Sequence, residues 1–143
     1  MEKNVLFRLA EPTDVSALVK VGDRLFDNPV KPDRASEFLN DPRHHLVIAL
    51  LNDEVVGMAS GFHYIHPDKD PVLFIDEVGV VEEFQNRGIG RQLVKEICKH
   101  GESLGCQEAW VATDHTNTAA RKAYVAAGGV EDRDSFLVID FRL

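Results

Sequence analysis

Residues 85–91 read QNRGIGR, and an amphipathic run through Leu93, Val94 and Ile97 follows at once. Gly88 and Gly90 stand where that helix must begin. A helix N-terminus exposes backbone N–H groups that have no partner inside the helix, and it carries a partial positive charge. Together these make an anion site, best suited to phosphate. Without Cβ atoms at 88 and 90, a pyrophosphate can come close to the amides, and Arg87 and Arg91 add charge at the rim. A plain strand-to-helix turn would use the same glycines, and the glycines alone leave both readings open. Two familiar phosphate motifs are absent. A dinucleotide fingerprint needs a third glycine where Leu93 stands, and no G-x-x-x-x-G-K-[ST] run exists. Cys98 and Cys106 form no CxxC pair, and no residues have metal-ligand spacing, so no metal is expected.

The elements that must hold this loop follow an α/β order. VLFRLA (Val5 to Ala10) reads as a strand, and Thr13 after Pro12 as a helix N-cap. Val15, Leu18, Val19, Leu25 and Phe26 recur at near-helical spacing, with Gly22 weakening that helix. PDRASEFLN reads as a second helix with Pro32 at its first position. HLVIALLNDEVVGMASGFHYI reads as two strands joined by a turn at Asn52-Asp53, and VLFIDEVGV (Val72 to Val80) as another strand. The long helix is expected from about Gly88 to Leu104. EAWVAT follows as a strand, NTAARKAYVAAG as a helix ended by Gly128 and Gly129, and SFLVIDFRL as the closing strand.

A chain of 143 residues suits one domain, 1–143, with room for a sizeable core. Its 44% hydrophobic and 28% charged residues are those of a folded soluble protein. A net charge of -8 argues against nucleic acid and is compatible with a cationic small molecule. MEKNVLFRLAEP lacks the apolar core of a signal peptide, and no run is long enough to span a bilayer, so no membrane is expected. The two cysteines read as reduced core thiols of a cytoplasmic protein.

With its neighbours included, the glycine loop is specific. VGVVEEFQNRGIG resembles the acetyl-CoA signature of the GCN5-related N-acetyltransferase (GNAT) superfamily: a strand ending in Val, a loop, then Q/R-x-x-G-x-G/A opening a helix. The matching positions are Val80, Gln85, Gly88 and Gly90. NTAARKAYVAAGG is similar to the family's second cofactor motif, with Asn117, Ala120, Tyr124 and Gly128 in place. The family's Phe is replaced by Gly129, so the start of the last strand pair departs from the pattern. These motifs span Asp76 to Gly129. The resemblance implies a GNAT-type acyl-CoA N-acyltransferase fold, an α/β class with a mixed central sheet flanked by helices. More loosely, the hairpin followed by LFIDEVGV, with DRLFDNP, resembles the aminoglycoside 3-N-acetyltransferase branch. DEVGV also resembles the polyamine acetyltransferases, which carry paired acids at this place.

The resemblance implies transfer of an acetyl group from acetyl-CoA, as co-substrate, to a primary amine. Direct attack needs a neutral amine, yet lysine-type amines have a pKa of about 10.4. Asp76 or Glu77 would take the proton, directly or through water, or anchor the acceptor's charge. Strand alternation sends the two to opposite faces, so one of them is expected to face the acceptor. By resemblance, the Val80 amide stabilises the oxyanion and Val78 lies along the pantetheine arm. Gly79 between them lets backbone come close, or marks a β-bulge. The pyrophosphate would rest on the backbone of Gln85, Asn86, Arg87, Gly88, Ile89, Gly90 and Arg91. Tyr124, whose phenol keeps its proton at neutral pH, is the candidate acid for the leaving thiolate. Asn117 helps fix the cofactor, caps its helix, or does both.

The other residues are less informative. His44 and His45 read as solvent-facing, and His63 and His66 as the lining or rim of a pocket. Asp114 and His115 sit at a strand's C-terminal end, where α/β sites gather, and Trp110 reads as core. The expected acceptor is a small cationic amine, aminoglycoside-like or polyamine-like. The alternatives are a protein or peptide N-acetyltransferase, and a non-catalytic acyl-CoA-binding regulatory module that would need neither Tyr124 nor the acids. Many relatives pair, so the resemblance admits a homodimer.

Overall fold

The apolar runs become one five-stranded sheet in the order β1-β2-β3-β4-β5. The computed structural model describes residues 4–132, 134 and 136–143. Its elements are β1 (Leu6–Leu9), α1 (Val15–Val21), α2 (Pro32–Asn40), β2 (His44–Leu51), β3 (Glu54–Tyr64), β4 (Val72–Val80), α3 (Ile89–Ser103), β5 (Glu108–Val111) and α4 (Thr118–Ala126). All neighbours run antiparallel except β4 and β5, which are parallel and joined through α3. The β2–β3 hairpin turns at Asn52 (φ 51) and Asp53 (φ 64). Both lie in the left-handed region that a two-residue turn of this hand requires.

Each face of the sheet buries its own core. Toward α3, Val47, Ala49, Ala59, Leu73 and Ile75 pack against Leu93, Val94 and Ile97. Toward α1, Leu46, Ile48, Leu50 and Met58 pack against Leu18 and Val21. The long helix sits tightly on the sheet. A Cβ on Gly61 would lie 2.5 Å from the Phe74 carbonyl oxygen and 3.3 Å from Ile97 Cδ1. Backbone cannot yield as a flexible side chain can. Gly61→Ala should therefore cost about 1–3 kcal/mol, read as a lower urea midpoint at unchanged slope.

Several expectations change. Among the described residues Thr13 caps no helix; Pro12–Asp14 form a 3-10 turn ahead of α1. The turn is fixed instead by Asp14, whose carboxylate accepts both guanidinium nitrogens of Arg8 at 2.8 Å and the Glu11 N–H at 2.6 Å. Arg8 in turn holds the Asp14 carboxyl below its ordinary range. Trp110 is not core: it is 46% exposed and donates its indole N–H to the Tyr64 hydroxyl at 3.0 Å. His45 is buried on the α3 side of β2, between His63 and His100. The closing segment reads as a strand by its alternation, yet 136–143 form none, and Ser135 lies outside the described residues. A strand needs a neighbour for its ladder, and local pattern does not supply one.

Candidate active site

The sheet parts between its two parallel strands. β4 pairs with β5 only through Val72–Ile75, and Asp76–Val80 run on without it. On the other edge, Val81 donates its N–H to the Val56 carbonyl at 2.8 Å. In an antiparallel ladder, residues alternate between bonding the partner and facing away. Gly79 therefore bonds β3 as Val81 does, and Val78 and Val80 turn their N–H and C=O groups into the wedge. The side-chain amide of Gln85 reaches the Val80 carbonyl from that side at 3.0 Å. It holds the start of the glycine loop against the open strand.

The acids are placed by a bulge. Ser60 pairs with Glu77 and Gly61 with Ile75, so Asp76 is one residue more than β3 provides. An extra residue shifts the side-chain phase of the strand. Leu73 and Ile75 before it and Val78 and Val80 after it all pack with the α3-side core. Asp76 and Glu77 consequently both turn to the α1–α2 side, not to opposite faces as alternation implies. Asp27, in the segment after α1, joins them. Burial first, then the charges of Asp27 and Asp76, raise the Glu77 carboxyl above its ordinary pKa. Asp27 carries no sequence signal beyond lying in the DRLFDNP segment. Gly79 lets backbone come close, here that of Leu25. A Cβ there would lie 3.3 Å from both the carbonyl oxygen and Cδ1 of Leu25, so the glycine admits Leu25. The bulge is three residues earlier, at Asp76.

Beside the wedge, α3 opens on its glycines. Asn86 (φ 63) and Gly88 (φ 80) adopt left-handed backbone, and Gly88 is the N-cap residue with no side chain capping the helix among the described residues. A Cβ on Gly90 would meet nothing nearer than Val80 Cγ2 at 3.8 Å. The cradle is thus open where a pyrophosphate would approach, and its residues fit acetyl-CoA. Arg87 donates to the Glu83 carbonyl at 3.1 Å and sits 5.3 Å over the Phe84 ring. Gly88→Ala puts a side chain at φ 80. The strain, about 1–2 kcal/mol for left-handed backbone, is relieved when the loop leaves this shape, so the cradle is less populated and the KM for acetyl-CoA should rise by up to roughly tenfold. An unchanged KM would mean that the loop does not carry the pyrophosphate.

α4 lies against α3 and supplies the last residues. Asn117 is its N-cap, accepting the Ala120 N–H at 3.1 Å. Tyr124 is half-buried against the α3-side core, and that burial raises its phenol above the ordinary pKa. His115 is exposed, with its carbonyl accepting Arg121 at 2.9 Å. His63 belongs to the other end of β3, beyond the Gly57–Val80 pairing that borders the wedge.

A mixed sheet that opens between two parallel strands, beside an uncapped helix N-terminus, defines an acyl-CoA N-acyltransferase fold. The chain belongs to the Acetyltransferase (GNAT) family, whose profile matches residues 15–128. An aminoglycoside N(6')-acetyltransferase type 1 of Salmonella typhimurium is 29% identical over 85 residues, covering 57% of this chain and 59% of the relative's length. A D-amino-acid N-acetyltransferase of Saccharomyces cerevisiae is 26% identical over 141 residues, covering 90% and 87%. Among solved structures, an aminoglycoside acetyltransferase from an uncultured soil metagenomic sample, in complex with sisomicin, superposes with TM-score 0.84 at 17% identity, covering 96% and 97%. The aminoglycoside N-acetyltransferase AAC(6')-Iy in complex with CoA gives 0.78 at 23%, covering 99% and 96%. The likeness to aminoglycoside enzymes therefore points to the 6' branch, not to the 3-N branch that the sequence suggested.

Proposed function

We propose that the chain, as a single domain over 1–143, is an N-acetyltransferase moving the acetyl group of acetyl-CoA to a primary amine of a small cationic acceptor. One observation carries the reading. The wedge with the Val78 and Val80 amides adjoins a face where Asp27, Asp76 and Glu77 come together. Three carboxylates favour a cationic acceptor, aminoglycoside-like or polyamine-like, and the names of the relatives support the first.

In this reading the backbone of Gln85–Arg91 binds the pyrophosphate, and Asn117 and Ala120 shape the start of α4 beside the cofactor. Val78 and Val80 receive the pantetheine arm and the thioester carbonyl. The acceptor's ammonium docks among the acids and gives a proton to Glu77, whose raised pKa suits it to accept one. The amine nitrogen then attacks the carbonyl carbon, and the Val80 N–H stabilises the oxyanion. As the tetrahedral centre collapses, the C–S bond breaks and Tyr124 protonates the thiolate, while the second excess proton of the nitrogen passes through solvent to restore the Tyr124 phenol. We place the protein in the cytoplasm, where acetyl-CoA is available and its two free thiols stay reduced, and as a homodimer.

The test is thiol release from acetyl-CoA against aminoglycosides, polyamines, amino acids and short peptides, with a no-acceptor control. Release dependent on the aminoglycosides or polyamines is expected. Release with peptides alone would shift the reading to a protein acetyltransferase, and binding without release to a sensor module.

A further inference from the structure

The face that carries the acids also carries an aromatic strip that the acetyl-transfer steps do not use. Leu73 and Ile75 pack toward α3, so Phe74 between them turns to the α1–α2 side. Val111 packs toward α3 as well, and Trp110 before it turns the same way as Phe74. Phe74 pairs with Phe62 on β3 and with Trp110 on β5. The three rings run side by side across the strands, with centroids 5.3 Å apart from Phe62 to Phe74 and 4.6 Å from Phe74 to Trp110. Phe74 stands two residues before Asp76 on the same face, about 7 Å along the strand.

Trp110 ends the strip at the β5 edge. α1 packs on β3 and α2 on β2, and beyond them Trp110 stays 46% exposed. Its single polar group is already taken, because the indole N–H donates to the Tyr64 hydroxyl at 3.0 Å. That bond fixes the ring and leaves only its apolar surface for a ligand. An exposed aromatic surface of fixed orientation is a stacking platform. The neighbouring charges decide what stacks. Asp27, Asp76 and Glu77 attract a cation. C–H bonds next to an ammonium are polarised with the positive end outward, and the face of an aromatic ring is negative. A ring that bears an amine therefore satisfies both parts of this face, with its ammonium among the carboxylates and its flat side on the indole. An aryl ring would stack there by its own face or edge. A linear polyamine satisfies the carboxylates alone. It has no flat side, and its rotatable bonds must freeze on binding.

We propose, on the acceptor reading above, that Trp110 and Phe74 form a subsite for a ring of the acceptor and so select a ring-bearing amine, an aminosugar or an arylalkylamine, over a linear one. Three carboxylates match the several charges of an aminosugar better than the single charge of an arylalkylamine.

Trp110 is the one tryptophan of the chain, so its fluorescence reads this subsite directly and needs neither turnover nor a variant. Kanamycin, 2-phenylethylamine and spermidine are each titrated into the wild-type protein with CoA present. A ring-bearing amine should shift the emission to saturation, and whether kanamycin or 2-phenylethylamine does so names the ring. Spermidine, a cation without a ring, should leave the emission in place. An equal shift with spermidine, or no shift with either ring-bearing amine, overturns the proposal. Trp110→Leu should weaken calorimetric binding of the ring-bearing amine roughly tenfold, and Trp110→Phe should restore most of it. Unchanged binding in Trp110→Leu overturns the proposal as well. If Trp110→Leu misfolds, the wild-type titration decides alone. Failure of the transferase reading looks different. A saturating shift without thiol release would end that reading and leave the ring subsite standing, whereas thiol release that favours spermidine would keep the transferase and remove the subsite.

Discussion

With Phe in place of Tyr124, acceptor-dependent thiol release should fall by about 10²–10⁴-fold, the usual contribution of a positioned general acid. Binding of acetyl-CoA should stay as it was. The substitution removes one oxygen and keeps the ring, which packs half-buried against the α3-side core, so neither α4 nor the wedge is disturbed. Burial raises the phenol's pKa, so Tyr124 holds its proton throughout the neutral range and has one to give in the proposed step. Pre-steady-state kinetics would place the loss in the chemical step. A variant that turns over like the wild type removes Tyr124 from the mechanism, while one that loses acetyl-CoA binding as well makes it a structural residue.

Folding stability should fall steeply as pH drops from 6.5 to about 4, and His45 is the main cause. Its Nε2 lies 2.7 Å from His63 Nδ1, and its Nδ1 lies 3.0 Å from His100 Nε2. Burial, then the neighbouring His100, His63 and His44, push its pKa down to about 4, with only Asp41 acting the other way. The unfolded chain takes up this proton near pH 6.5 and the folded chain resists until about 4. Between those values the unfolded state binds more protons, so stability rises with pH. The contribution is complete above 6.5 and is lost on acidification, at most about 3 kcal/mol. His100, also depressed by burial and His63, adds in the same direction. Urea unfolding of wild type and His45→Gln from pH 4 to 7 checks this: the variant's slope should be clearly flatter. Equal slopes would assign the pH dependence to His100 and the carboxylates.

What the sequence disclosed and what it hid follow from distance along the chain. The helix over 88–104 and the strands of the hairpin were legible because their apolar periods are local. Gly88 at the start of α3 and Asn117 as the cap of α4 were legible because their types sit at fixed spacings. The burial of His45 was not, since its partners lie 18 and 55 residues away. Asp27 was missed for the same reason, as only the folded sheet brings it to Glu77. Trp110 was misplaced because an apolar residue in a strand does not announce which layer covers it. The tail over 136–143 has the alternation of a strand, but a strand's neighbour is not written in its own residues.

The extra residue in β4 has a consequence for how such a protein diversifies. Pairing with β5 stops at Ile75, immediately before Asp76, so one residue both opens the wedge and rotates the acids out of it. The direction of the Val78 and Val80 amides depends on backbone phase alone, whereas the charge on the α1–α2 face depends on the side chains at 76 and 77. Substitution at 76 changes that charge without moving the wedge, whereas deleting one residue would shift the wedge and the acids together. Chain length at this point thus fixes the shape of both faces, and residue identity fixes only the charge that one of them carries.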